Sequence, residues 1–299
     1  MRLVTFSFDG PARLGALIDS DRSILDLQSA HQALHSRTDH AFASMQSLIE
    51  AGPEALETAR GLLDAKPVPA IRPAGSARLL APLPVPIQMR DFMLFEQHAT
   101  NSGKRKVPEV WYQQPVYYKC NRFAVQGTDA EVRWPSYSSV IDFELELAMI
   151  VGKKGVDVPK HEAHEHIFGY TIFNDFSARD AQFREMACYL GPAKGKDFDG
   201  ANCLGPCIVT ADEIDPYALT MIARVNGEEW TRGHSGTMHH KFEDVIAHVS
   251  QSETIYPGEI MASGTVGRGC GDELGRYLAK GDVVELEIEH IGVLRDRVV

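Results

Sequence analysis

Residues 139–152 read SVIDFELELAMIVG, and residues 169–182 read GYTIFNDFSARDAQ. In the first stretch, period-two alternation puts Asp142, Glu144 and Glu146 on one face of a strand. Phe143, Leu145 and Leu147 take the other. Apart from Glu146, the run from Leu145 to Gly152 is apolar, as expected of an interior strand. Carboxylates two residues apart on one strand project side by side. They can share one hard cation, which offsets the repulsion that otherwise raises a pKa. In the second stretch, Asp175 ends an apolar strand (Tyr170, Ile172, Phe173) and opens into a turn, where site residues concentrate. Arg179 follows as a fixed cation able to orient a carboxylate or an anionic substrate. Two plain readings stand beside these. Asp175 can simply cap the next helix, and Glu285, Glu287 and Glu289 in VVELEIEHIG repeat the acidic spacing on what reads as a solvent face. Spacing alone does not make a site.

Outward from these strands, VYYK, CIVT, TMIARVNG, EIMASGT and DVVELEIEHIG also read as β segments. Helices are fewer: the 91–101 region, 161–167, 178–188 and KFEDVIAHVSQ. Long strands with few alternating helices predict an α+β or mostly β architecture, not a doubly wound sheet. Residues 1–80 read as an accessory unit. LVTFSF, ARLGALID and RSILDL are short strands, and helical periodicity runs from Ser29 to about Leu63. The stretch 66–86 holds Pro67, Pro69, Pro73, Pro82, Pro84 and Pro86, a density that predicts a stiff extended linker. The boundary falls near residue 80, leaving 81–299 as the larger domain that carries both quoted stretches.

The chain has 299 residues, with 30 Lys+Arg against 41 Asp+Glu and a net charge of −11. Binding to nucleic acid or acidic membranes rests on basic patches, so neither partner is expected. Asp9 and Arg13 interrupt the apolar N-terminal stretch, which reads as neither signal peptide nor membrane span. Five cysteines (Cys120, Cys188, Cys203, Cys207, Cys270) read as reduced thiols, giving a cytoplasmic expectation. Cys203 and Cys207, around Gly205-Pro206, read as structural thiols, not a zinc pair. His161, His164 and His166 read as a solvated face, and His239-His240 receive no chemistry. Gly264, Gly267, Gly269 and Gly271 do not form a phosphate loop.

Taken jointly and in order, DFELELAMIVG, GYTIFNDFSARDAQ, the GKDF of residues 195–198 and the SGT of residues 263–265 resemble the fumarylacetoacetate hydrolase family. The likeness runs through most of residues 80–299. DFMLFEQHATNSG, residues 91–103, resembles the segment of the eukaryotic-type branch that carries an aspartate ligand and the catalytic histidine. The resemblance implies Asp91, Glu144, Glu146 and Asp175 as metal ligands and His98 as the base that activates water. Some family members pair that histidine with a glutamate three residues later, where this chain has Asn101. Glu273 in GCGDELG is instead the implied partner. Lys196, with Arg179 and Gln182, is implied to stabilise developing negative charge, and Tyr118 to contact substrate. Met93 and Met186 stand where the branch has tyrosines. The arginine expected between Asn101 and Pro115 has only Lys104, Arg105 and Lys106 as substitutes. Fumarylacetoacetate itself is therefore not the expected substrate. The implied fold is a mixed β-roll with a smaller N-terminal α+β domain, assembled as a homodimer.

Four carboxylates call for a hard divalent cation, Mg²⁺ first and Mn²⁺ or Ca²⁺ otherwise. Such an ion polarises the carbonyls of an oxo acid and favours its enolate. If residues 91–98 are helical, Asp91 and His98 lie two turns apart on one face. The expected activity is hydrolysis of a C–C bond in a β-diketone or acylpyruvate-like acid. Decarboxylation of oxaloacetate, or isomerisation or hydration of a dienoate, are the alternatives on the same site. A catalytically silent metal-binding protein is the third reading.

Overall fold

The computed structural model describes residues 1–101 and 106–299, so the candidate cations Lys104 and Arg105 lie outside the described residues. The architecture is α+β, with helices a minority. A twelve-stranded mixed sheet dominates, beside a five-stranded sheet and a two-stranded pair. Along the large sheet, strand Arg2–Ser7 is followed by Asn202–Thr210, Ile167–Asp175, Leu145–Val151, Ile260–Ala262, Met89–Phe92 and Tyr117–Lys119.

Pairing direction explains where the acids meet. Leu145–Val151 runs antiparallel to both Ile167–Asp175 and Ile260–Ala262, so its start lies beside their ends. Met89–Phe92 runs parallel to Ile260–Ala262, with Asp91 opposite Ala262. The ends of three strands and the beginning of a fourth therefore gather at one edge.

Every residue of Leu145–Val151 is buried, and its alternation feeds two cores. Leu145, Leu147, Met149 and Val151 pack into one. Ala148 and Ile150 pack into the other, with Met89, Phe173 and helix residues Leu27, Ala30, Met45, Leu48 and Leu62. By parity, Glu144, Glu146, Asp91 and Asp175 all lie on the face of this second core. The N-terminal helices Leu27–His35, Met45–Ala51 and Pro53–Ala65 thus cover the sheet face that carries the acids.

Several expectations need correction. The proline-rich stretch is extended, but it is no free linker: Ile71–Pro73 pairs with Ser23–Asp26, and Arg78–Leu79 with Arg2–Ser7. Strand Arg2–Ser7 itself pairs with Asn202–Thr210, so one sheet runs across residue 80. Asp91 sits on a strand, and the helix begins only at Glu96, so Asp91 and His98 do not share a helix face. Lys160–His166 is a 3-10 helix in which His161 is exposed, while His166 is buried with Nδ1 2.9 Å from the Lys153 carbonyl. The five cysteines are all unbridged. Among the described residues, no helix is long and apolar enough to cross a membrane.

Candidate metal centre and active site

Asp91, Glu144, Glu146 and Asp175 are buried, and one oxygen from each lies within 4.8 Å of the others. Asp91 Oδ1, Glu146 Oε1 and Asp175 Oδ1 have no hydrogen-bond partner, although each is sealed from solvent. An orphaned buried carboxylate oxygen is costly unless a cation meets it. Burial, and then the neighbouring Asp175, pushes the Asp91 pKa up to about 8. Burial also raises Glu146 well above the carboxylate range, with Asp91, Glu144 and Asp175 adding repulsion. The donor set fits a hard divalent cation, which would relieve all of these penalties together.

Two cations offset part of the acidic charge. Lys196 Nζ donates to Glu144 Oε2 at 2.6 Å and also to Asp175 Oδ2. Arg179 lies 2.7 Å from Glu144 Oε1, and its Nη1 donates to Gln182 Oε1 at 3.0 Å. Burial alone would raise the Glu144 pKa, but Lys196 and Arg179 hold it down at about 2. Tyr118 donates its hydroxyl hydrogen bond to Asp175 Oδ2.

Facing this cluster is His98, on the short helix Glu96–Asn101. Its Nδ1 lies 2.6 Å from Glu273 Oε1. Asn101 Nδ2 and the Arg268 backbone N–H both donate to Glu273 Oε2, at 2.8 and 2.9 Å. The carboxylate is thereby clamped, and it fixes the imidazole orientation. Asn101 is drawn into the dyad as a support for Glu273. A cavity of about 230 Å³ joins these parts, lined by Asp91, Met93, His98, Tyr118, Gln182, Met186, Lys196 and Thr265 among others. Lys106 is exposed and is not among the cavity-lining residues.

Three residues have supporting roles that their sequence positions did not assign. Asp142 accepts from Arg179 Nε at 2.9 Å and from the backbone N–H groups of Gly271 and Asp272 at 2.7 and 2.9 Å. It therefore ties the Glu273 helix, Gly271–Leu274, to the Arg179 helix. Its place on the acidic face was the available signal. Asn174 Oδ1 accepts from the Glu144 N–H at 3.1 Å and sets the strand entry. Gly264 N–H donates to Glu146 Oε2 at 3.1 Å, where a side chain at φ +73° would strike the Phe92 carbonyl at 2.1 Å. The comparison strand Val283–Ile288 shows what acidic spacing amounts to elsewhere: Glu285 and Glu287 are half-buried, and Arg224 donates to Glu287 at 2.6 Å.

The fumarylacetoacetate (FAA) hydrolase C-terminal family pattern matches residues 89–299. The chain is 33% identical over 305 residues to the mitochondrial oxaloacetate tautomerase fahd2 of Xenopus laevis, covering all of this chain and 90% of that one. Its identity to the human mitochondrial oxaloacetate tautomerase FAHD2A is 35% over 258 residues, 86% of this chain and 80% of the human one. Among solved structures, a fumarylacetoacetate hydrolase from Exiguobacterium antarcticum superposes with a TM-score of 0.78 at 28% identity, covering 100% and 99% of the two chains. The maleylpyruvate hydrolase of Sphingobium sp. SYK-6, in complex with manganese(II) and pyruvate, gives 0.76 at 25% identity with the same coverage. The sequence resemblance narrowed to the eukaryotic-type hydrolases is not supported, because the tautomerases match over nearly the whole chain. This chain belongs to the fumarylacetoacetate hydrolase family.

Proposed function

We propose that this protein is a divalent-cation-dependent enzyme that moves a proton on an enolisable 2-oxo acid, with tautomerisation of a short acid such as oxaloacetate as its principal reaction. The observation that carries this reading is the His98–Glu273 pair, 2.6 Å apart, beside four converging carboxylates, with His98, Asp91, Glu144 and Glu146 lining one cavity. A tautomerase needs a base that takes a proton from one atom of the substrate and returns it to another. With Nδ1 held by Glu273, His98 Nε2 is the nitrogen left to serve the cavity. Glu273 steadies the imidazolium that forms. Lys196 and Gln182 border the space where negative charge gathers on the substrate. A bound cation, with Mg²⁺ as the proposed ion, supplies Lewis-acid polarisation of the oxo group. The tautomerase activity of the relatives supports the choice of reaction.

Hydrolysis of a C–C bond is the second reading, favoured by the same dyad, because an oriented imidazole also suits water activation. The maleylpyruvate hydrolase likeness gives it weight. One assay separates the two. Enolic oxaloacetate is followed as it ketonises, with Mg²⁺ or Mn²⁺ present, alongside pyruvate release from acylpyruvates. The expected result is accelerated ketonisation without loss of CO₂. Pyruvate release with ketonisation at the uncatalysed rate would replace the first reading by the second. A homodimer belongs to this proposal too, and a mass by light scattering equal to one chain would remove it.

A further inference from the structure

Among the described residues, a second cluster of metal-ligand atoms has a different chemistry from the first. His98, Cys270 and Glu273 each offer one donor atom, and these lie within 4.8 Å of one another. Cys270 is 1% exposed and follows the loop that carries Gly264 and Thr265. Its Sγ lies 3.6 Å from Glu273 Oε1. Tetrahedral zinc, with bonds of about 2.3 Å to sulfur and about 2.0–2.2 Å to oxygen, holds such a pair roughly 3.5 Å apart. The His98–Glu273 contact needs to open from 2.6 Å to about 3.3 Å, a small movement for two side chains. Glu273 is already braced for this, since Asn101 and Arg268 take its Oε2 and leave Oε1 toward His98 and Cys270.

We infer that His98, Cys270 and Glu273 form a second cation site, selective for a borderline-soft ion, Zn²⁺, whose occupation takes His98 out of proton transfer. The charge balance suits burial. One thiolate and one carboxylate neutralise a divalent ion, and the neutral imidazole adds none. The thiol proton leaves to solvent as the Zn–S bond forms. Without an ion, burial raises the Cys270 pKa well above its usual value, reinforced by Asp142, Glu144 and Glu273 and opposed by Arg179. The group is then an inert thiol. The two sites divide by ligand softness: four oxygens for a hard ion, and a nitrogen, a sulfur and an oxygen for zinc. His98 lines the cavity, which gives the ion a way in.

The inhibitory consequence rests on the proton-transfer role proposed for His98, whereas the site itself does not. The test is a Co²⁺ titration of the Mg²⁺-saturated full chain, followed by near-ultraviolet absorption. Thiolate ligation gives a charge-transfer band that oxygen ligands cannot. The expected result is a one-equivalent band that Zn²⁺ removes, absent in both Cys270→Ser and Cys270→Ala and retained in Cys120→Ser. No band in the wild-type chain, or a band that survives Cys270→Ser, overturns the proposal. In the oxaloacetate assay, one equivalent of Zn²⁺ should slow the wild type at least tenfold, and Cys270→Ser should resist it. Equal inhibition of both chains overturns the inhibitory role. The absorption result decides the site whether or not any oxo acid is turned over.

Discussion

His98 and Glu273 stand 175 positions apart in the chain and 2.6 Å apart in space. Replacing His98 by Ala should lower kcat by about 10²–10⁴, the usual contribution of a positioned base. Mg²⁺ binding, measured calorimetrically, should not change, because His98 is outside the four-carboxylate cage. A parallel loss of Mg²⁺ affinity would move His98 into the cage. Glu146 gives a different test. Its folded pKa is raised by burial and by three neighbouring acids, so its stability cost grows as pH climbs through the usual carboxylate range. Glu146→Gln removes that cost, and the cation-free protein should melt higher at pH 7 than wild type. It should also lose the gain that a cation gives, about 2.7 kcal/mol at a hundredfold excess over Kd for the wild type. A thermal scan with and without chelator checks both.

Among the elements, strand Leu145–Val151 was legible because it is an apolar run broken only by Glu146, the composition of a strand buried on both faces. Its approach read as part of the same strand, whereas Ile141–Asp142 is a separate short strand that pairs with Ser177–Ala178. The 91–101 region was not legible. Phe92, Met93, Leu94 and Phe95 form an apolar run that satisfies both periods, and sheet pairing with Ile260–Ala262 and Tyr117–Lys119 decides that Asp91 belongs to a strand. Glu273 was found through motif resemblance; no local pattern brings the Gly271–Leu274 helix to His98. What brings it there is Asp142, which accepts from residues of both helices. The loop at Gly264 is the element most exposed to mutation. Gly264→Ala would drive a methyl against the Phe92 carbonyl and displace the strand end that carries Asp91. Cation affinity should fall by at least tenfold in a calorimetric titration. Gly227→Ala, at φ +81° with open space around it, should cost only roughly 1 kcal/mol and leave affinity intact.

Over the whole molecule, the α+β class followed from the balance of strand and helix patterns, while the single sheet joining residues 1–80 to the rest did not. Partner choice between distant strands is a matter of packing, and composition near residue 80 carries no record of it. The same long-range assembly buries Asp296, on strand Gly292–Val298, with neither carboxylate oxygen hydrogen-bonded at ordinary geometry. Burial pushes its pKa up to about 8, against an ordinary value of 3.8, with Cys203 and Asn174 giving only partial relief. A folded pKa above the unfolded one means that stability falls as pH rises from about 4 toward about 8. Asp296→Asn should therefore raise Tm by several degrees at pH 8 and hardly at all at pH 4, read by differential scanning calorimetry. An equal shift at both pH values would show that packing, not ionisation, is responsible.

Leu3 pairs across the sheet with Ile208. During synthesis, at about 5–20 residues per second, the first strand leaves the ribosome roughly 10–40 s before its partner. For that interval the nascent N-terminal hairpins offer a bare edge to any neighbouring chain. Slowing elongation between codons 80 and 200 should lengthen the wait and lower the yield of soluble product, so codon choice there becomes part of how this protein is made.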